Sequence, residues 1–539
     1  MKILLPILAF AGLGLPCSLR AAELLSADRP IEKVIDHYVD ALQKQEKVKP
    51  APLADDATVI RRLTLDLIGR IPTPAESRAF VEATDPDKKT RLVDRLMSSP
   101  AFVRHQAAMF DAMMSAPNRK GDGSLRAYFQ TALDDNRSWS QIFRELVTPD
   151  EGDPKQKGSV EFLKSRVVDL DRLTTEVSVV FFGVNVSCAQ CHDHPLVNDW
   201  KQDHFFGMKS FFSRTFDNGG FLGEREFGAI KFKPNKGAEK QATPLFLSGK
   251  AIDLPNFREP TSDEQKKEKE RFEKAKTSKV APPPPAVSAR AKLVETALQA
   301  GNADFFSRSI VNRLWHRFLG FGLVNPLDQM HSENPPSHPE LLQWLARDMA
   351  GHQYELRRMI RGIVLSNAYA RSSKLVGDPI APKFFAVARL KPLTPYQLAT
   401  SMKIASSDPT GFENQKPEDL EKKLEQIESG ARGFASSIAM PTDDFMIGVN
   451  EALLFSNNTR ISTEFLTESS NSLLGRVKEL NDPSKTVDLI VQSTLCRPAT
   501  PEEKKLLGDY IQKRSDRQIE ACRQVAWALI TGAEFRFNH

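Results

Sequence analysis

Five cysteines and ten histidines are all that 539 residues supply, too few for a disulfide-stapled scaffold, and only one CxxCH occurs, which excludes a multihaem wire. Neither sign of charge is in excess. The 74 basic and 69 acidic side chains leave a net +5, with no region basic enough to track a nucleic-acid backbone, so nucleic-acid binding is not expected. After residue 22 no uninterrupted apolar run approaches the roughly 20 residues that a bilayer requires, and the mature protein is expected to have no transmembrane span. GxSxG elbows, phosphate loops, HExxH helices and internal repeats are also missing. What is present, 40% hydrophobic and 27% charged residues, is the composition of a globular protein. Its length exceeds what one core usually serves, so two or three domains are expected.

The start of the chain reads as an export signal. Lys2 precedes the apolar run Ile3 to Leu15, and Ser18, Ala21 and Ala22 are small residues suited to a signal peptidase. About 13 apolar residues are too few for a membrane anchor, and Pro16 before Cys17 does not suit lipidation. Residues 1–22 are therefore expected to be removed, leaving an exported, periplasmic or extracytoplasmic protein.

The rest has helical periodicity and helical punctuation. A capping Thr, a Pro and a Glu or Gln three residues after the Thr recur at Thr73-Pro74-Ala75-Glu76, Thr394-Pro395-Tyr396-Gln397 and Thr500-Pro501-Glu502-Glu503, each predicting a helix start. Leu92, Val93, Leu96 and Met97 share one helical face, as do Ile310, Leu314, Trp315 and Phe318 before Gly320. The fold class expected is mainly α: two helical domains, 23–225 and 291–539, with a small β excursion in 226–260, where FGAIKFKP and TPLFLSG resemble short strands. Between them the Lys/Glu-rich run from Thr261 to Lys279 and the prolines 282–285 read as a linker, its charges forming a solvated helix face.

The chemistry concentrates in VSCAQCHDHPLVNDW, residues 186–200. In CxxCH the thiols of Cys188 and Cys191 are spaced to form thioethers with the two vinyl groups of one haem, and His192 falls under the ring to ligate iron. Covalent haem is attached outside the cytoplasm, which agrees with an export signal. A sixth ligand would come from His204 or Met208 on WKQDHFFGMKSFF, or from His105 or Met109 through folding. The rival is zinc or iron held by Cys188, Cys191, His194 and either His192 or His204, with Asp193 orienting a ring. The plain alternative is a small disulfide between Cys188 and Cys191.

A second polar cluster, MHSENPPSHPELL, offers His331, Glu333 and His338 beside Asp328. Its prolines 335, 336 and 339 and the capping-box spacing of Ser337 and Glu340 read more simply as the start of a helix. Arg313 and Trp315 are expected to pack and to ion-pair on their helix. Cys496 and Cys522 are expected to be buried thiols or a disulfide pair.

FFGVNVSCAQCHDHPLVNDWKQDHFFGMKSFFSR, preceded by ADDATVIRRLTLDLIGRIPTPAESRAFV, resembles the hallmark of a planctomycete cytochrome-like family, domain of unknown function 1549. FFSRSIVNRLWHRFLGFGLVNPLDQMHSENPPSHPELLQWLARDM and the closing WALITGAEFRFNH resemble its usual follower, domain of unknown function 1553. The resemblance implies a family and an extracytoplasmic setting more than a reaction, because its cytochrome label itself rests on CxxCH. Three functions suit these residues: a single-haem c electron-transfer protein with a redox or protein partner; a zinc- or iron-dependent hydrolase or other enzyme on an exported substrate such as polysaccharide; and a non-catalytic interaction protein held by a structural metal or disulfide.

Overall fold

A computed structural model describes residues 24–114, 124–278, 284–375, 377–441, 455, 459–480 and 482–539; the expected export signal, 1–22, and residues 279–283 of the expected linker lie outside them. The fold is mainly α, with 58% of residues helical, and among the described residues no helix is long and apolar enough to cross a membrane. The three threonine signals each open a helix, Pro74–Glu82, Pro395–Ser406 and Pro501–Gln512. In each, the Thr hydroxyl accepts from the backbone N–H of the Glu or Gln three residues on, whose side chain accepts from the Thr N–H. Two orphan groups are thereby satisfied at every start, worth about 1 kcal/mol per cap.

The expected apolar faces are buried: Leu92, Val93, Leu96 and Met97 in Lys88–Met97, and Ile310, Leu314, Trp315 and Phe318 in Ala303–Leu319. Gly320 ends the latter at φ +75°, where a Cβ would come within 3.1 Å of Arg389. Two departures concern helix starts and strands. The helix Pro339–Gly351 has His338 at its N-cap, with no side-chain cap, because the Ser337 hydroxyl turns to His338 Nδ1 at 3.0 Å; the expected Ser337/Glu340 capping box does not form. Among the described residues the strands form three antiparallel pairs, 215–217 with 222–224, 231–232 with 240–241, and 391–392 with 537–538. Only the second lies in the stretch expected from sequence.

The charged run is a helix, Ser262–Ser278, with a solvated surface. Its Phe272 packs edge-to-face on Phe216 of the first hairpin, centroids 4.6 Å apart. The compositional break does not divide the interior. One core runs from Ile31 to Phe385 across it, and a second gathers residues from Leu393 to Phe535 together with Leu65 and Ile71. Trp139 and Phe143 of the first half meet Phe306 of the second at 6.2 and 4.9 Å. The first helix, Ile31–Gln45, lies against Leu356–Leu365, so closely that a Cβ on Gly362 would sit 2.4 Å from Ile31 Cγ2.

Helix Asp56–Ile68 sits where the cores meet. Leu63 and Leu67 belong to one and Leu65 to the other, and Arg61, Arg62 and Asp66 are buried with them. Buried charges need partners, and these grip the end of the chain. Arg61 donates to the carbonyls of Glu534 and Phe535 at 3.2 and 2.8 Å, and Arg62 to those of Arg371 at 2.9 Å and of Tyr369 and to the main-chain oxygen of His539 at 3.0 Å.

Candidate functional site

The CxxCH loop hangs from helix Leu170–Phe182, which Gly183 terminates at φ +69°. A left-handed residue is needed there to turn the chain, and a Cβ would meet Met330 Sδ at 2.7 Å. From this point the loop is tied to the second half of the sequence. Val184 bridges Gln329, Met330 N–H donates to Gly183 O at 3.0 Å, and Asn185 N–H donates to Asp328 O at 2.8 Å. The Asn185 amide donates to Asp328 Oδ2 at 3.1 Å, while its Oδ1 accepts from Ser187 N–H and Oγ–H at 3.1 and 2.7 Å, fixing the turn. At the far end Asp199 accepts from Ser332 N–H and Oγ–H, both at 2.8 Å.

Inside this frame Ser187–Gln190 forms one 3₁₀ turn. Ala189 is buried and pins it, while Cys188 and Cys191 are exposed free thiols. The disulfide alternative is thus not the arrangement found, and Cys496 and Cys522 are likewise free and buried. Gln190 donates to Asp171 Oδ2 at 2.9 Å, and Asp193 Oδ1 accepts from Gln202 N–H at 3.0 Å. The Asp193 carboxylate therefore holds the loop to helix Gln202–Ser210.

The three loop histidines separate by which ring nitrogen is committed. His192 Nδ1 faces its neighbour's carbonyl, Asp193 O, at 2.8 Å, and so must carry the proton and donate. Its Nε2 lone pair is left open on an exposed residue, the tautomer that suits metal ligation. His194 Nδ1 accepts from Leu196 and Val197 N–H at 3.3 and 3.1 Å, and His204 Nδ1 from Lys201 N–H at 3.2 Å. In both rings the Nδ1 lone pair is engaged by backbone N–H groups, so both histidines serve the frame of the loop. Burial lowers the His204 pKa, which keeps that ring neutral. Met208 is fully buried in the first core, which also holds Val186 and Ala189 of the loop. His105 is buried too, its ring against Gly69.

A four-ligand zinc or iron knot is not assembled. Among the described residues no group of three His, Cys, Asp or Glu side chains is gathered so as to hold a metal ion. His331, Glu333 and His338 do not converge: Glu333 is exposed, whereas His338 is buried against Phe385, and burial pushes its pKa down to about 4. Arg313 donates to Val179 O at 2.5 Å, and burial lowers its pKa to about 10 against the opposing pull of Asp328. It packs as expected but, among the described residues, forms no ion pair within bonding range. The cross-chain ties at Asp328, Gln329, Met330 and Ser332 were not foreseen, although the polar composition of that segment marked it.

Residues 34–217 match the family PSCyt2, described as a protein of unknown function (DUF1549), and residues 289–442 match PSD1, a protein of unknown function (DUF1553). The chain belongs to the proteins that carry this pair in this order. The CxxCH loop lies in the first matched segment and its clamp in the second, so the site is built by both. No curated protein and no solved structure gives a significant match.

Proposed function

We propose that this is an exported single-haem redox protein, in which a c-type haem is joined to Cys188 and Cys191 and ligated through His192. The observation that carries this reading is the division of labour in the loop: Asn185, Asp193, His194 and Asp199 are spent on the frame, while two exposed thiols and one open imidazole nitrogen are left uncommitted. Thioether attachment suits such a set, because it needs two thiols placed along a ring edge and not a convergent tetrahedron. The haem supplies one-electron chemistry when bound. The chain's own residues hold the two attachment points, fix the His192 tautomer through the Asp193 carbonyl, and offer Leu196, 82% exposed, as an apolar contact for the macrocycle or for a redox partner.

A second reading, a non-catalytic interaction protein, draws support from the clamp that locks the two halves together at Asp328 and Ser332. The experiment that separates them is a mass and absorption spectrum of the protein made in a host able to attach c-type haem. An added haem mass with a Soret band supports the redox reading, and a His192→Ala variant should lose the normal iron-ligand spectrum. A colourless protein at apoprotein mass overturns it.

A further inference from the structure

Gln202 ties the CxxCH turn to a hairpin that lies between the two matched segments, after residue 217 and before residue 289, so that neither match assigns it a role. Its backbone N–H donates to Asp193 Oδ1 at 3.0 Å, its side-chain amide donates to Gln190 O at 3.3 Å, and its Oε1 accepts from Asn235 N–H at 3.2 Å. One buried side chain thus reaches from a residue between Cys188 and Cys191 to the segment joining strands 231–232 and 240–241. Phe232 fixes the same arrangement, stacking on Phe206 of helix Gln202–Ser210 with centroids 4.0 Å apart. The hairpin is held next to the loop by contacts that leave it little freedom to move away.

The charge on this hairpin is one-sided. Residues 227–252 hold five lysines, Lys231, Lys233, Lys236, Lys240 and Lys250, against one carboxylate, Glu239. Lys240 is paired with Asp203 at 2.7 Å, but Lys231, Lys233 and Lys236 are exposed and, among the described residues, have no carboxylate partner. The helix Ser262–Ser278 gives the comparison within the same molecule. It carries six cations but also five carboxylates interspersed with them, so its field cancels over a short distance, whereas that of the hairpin reaches into solvent for about a Debye length, ~10 Å at 0.1 M salt.

We propose that the hairpin and the CxxCH loop together form the docking surface for a protein with an acidic face, which Lys231, Lys233 and Lys236 draw in and hold beside Cys188, Cys191 and His192. Charge complementarity sets the sign of the partner, and the loop indicates that it is a protein: Leu196, 82% exposed, adds an apolar contact to the cations of the attached hairpin, the combination of apolar centre and charged rim that protein partners use. A polyanionic sugar would use the lysines and leave Leu196 bare. The inference rests on the redox reading in one respect alone, that the docked protein exchanges electrons at this loop.

The test uses the full chain and, as the probe, a small acidic blue-copper protein, with a basic blue-copper protein of similar size for comparison. Affinity is measured over a range of salt concentrations, and a carbodiimide joins lysines to carboxylates at the contact for mapping by mass spectrometry. The expected results are salt-sensitive binding of the acidic probe alone, cross-links at Lys231, Lys233 or Lys236 and not in Ser262–Ser278, and about tenfold weaker binding at low salt in the triple variant Lys231→Gln, Lys233→Gln, Lys236→Gln. A control triple variant of exposed lysines in the charged helix, Lys266→Gln, Lys267→Gln, Lys269→Gln, should bind as the parent does. Equal losses in the two variants, cross-links spread over the surface, or binding of dextran sulfate at the hairpin without binding of the acidic protein would each overturn the proposal. Because docking is read by mass and affinity, it is reported with or without haem; a colourless protein that still cross-links at the hairpin counts against the redox reading and supports the docking surface.

Discussion

Helix Asp56–Ile68 and the loop 185–201 are both dense in polar groups, yet they use them in opposite ways. In the helix, Arg61, Arg62 and Asp66 are buried and bonded to carbonyls, hydroxyls and a lysine from residues 369–391 and 534–539. Their chemistry is consumed in holding two cores together. In the loop the polar groups sit at the surface, and the frame is made by asparagine, aspartate and one histidine, while the softer nucleophiles face solvent. Polarity alone does not mark a site. What distinguishes the loop is that its most reactive atoms are the ones the frame does not use.

The contrast breaks hardest at Asp66. Asp66→Ala leaves Lys391 without its bonded carboxylate and Arg317 without the one that acts on it, and should cost about 3–5 kcal/mol in urea unfolding, whereas no single loop substitution should approach that. Acid should expose the buried side next. Burial alone would raise the Glu76 carboxyl, but Arg70, bonded to it at 2.8 and 3.0 Å, holds it at about 2. Its folded pKa lies below the unfolded one, so its contribution is complete above about pH 4.5 and is lost as pH falls toward 2, a difference of about 3 kcal/mol. His338, held at about 4 by burial, must gain a proton on unfolding. It adds a loss of similar sign between about pH 6.5 and 4, so that Glu76→Gln and His338→Gln should flatten separate parts of the acid-stability curve.

The loop frame gives a smaller effect. Asp199→Ala removes two hydrogen bonds to Ser332 and should cost about 1 kcal/mol, with faster amide exchange confined to residues 184–200 and 328–332. Smallest in stability is the double variant Cys188→Ser, Cys191→Ser. It should change unfolding free energy by less than about 0.5 kcal/mol, and yet it should abolish covalent haem in the mass spectrum. A large destabilisation there would mean that the thiols belong to the frame and the comparison fails.

Much of this was legible locally. The Thr73, Thr394 and Thr500 caps, the buried faces around Leu92 and Leu314, and the helical nature of the charged run need only short windows of sequence. Ser337 misled because its hydroxyl had a nearer partner in His338. The candidate site divided in the same way: Cys188, Cys191 and His192 stand out by spacing, but the roles of His194 and His204 depend on which backbone N–H groups fold onto them. The clamp of Asp199 on Ser332 joins residues 133 apart, and no local pattern encodes such a pairing. The burial of Arg61 and Arg62 in Asp56–Ile68 is likewise set by partners more than 300 residues away.

The packing of the first helix on Leu356–Leu365 has a consequence for biogenesis. Asp36 accepts from Asn367 N–H across 331 residues, so helix Ile31–Gln45 waits for the synthesis of more than 300 further residues before its apolar stripe is covered. Contacts this distant slow folding and prolong exposure of sticky surface, which predicts dependence on a holding chaperone during synthesis or translocation. It also predicts that two fragments divided within residues 279–283 will aggregate when made alone and complement each other when made together.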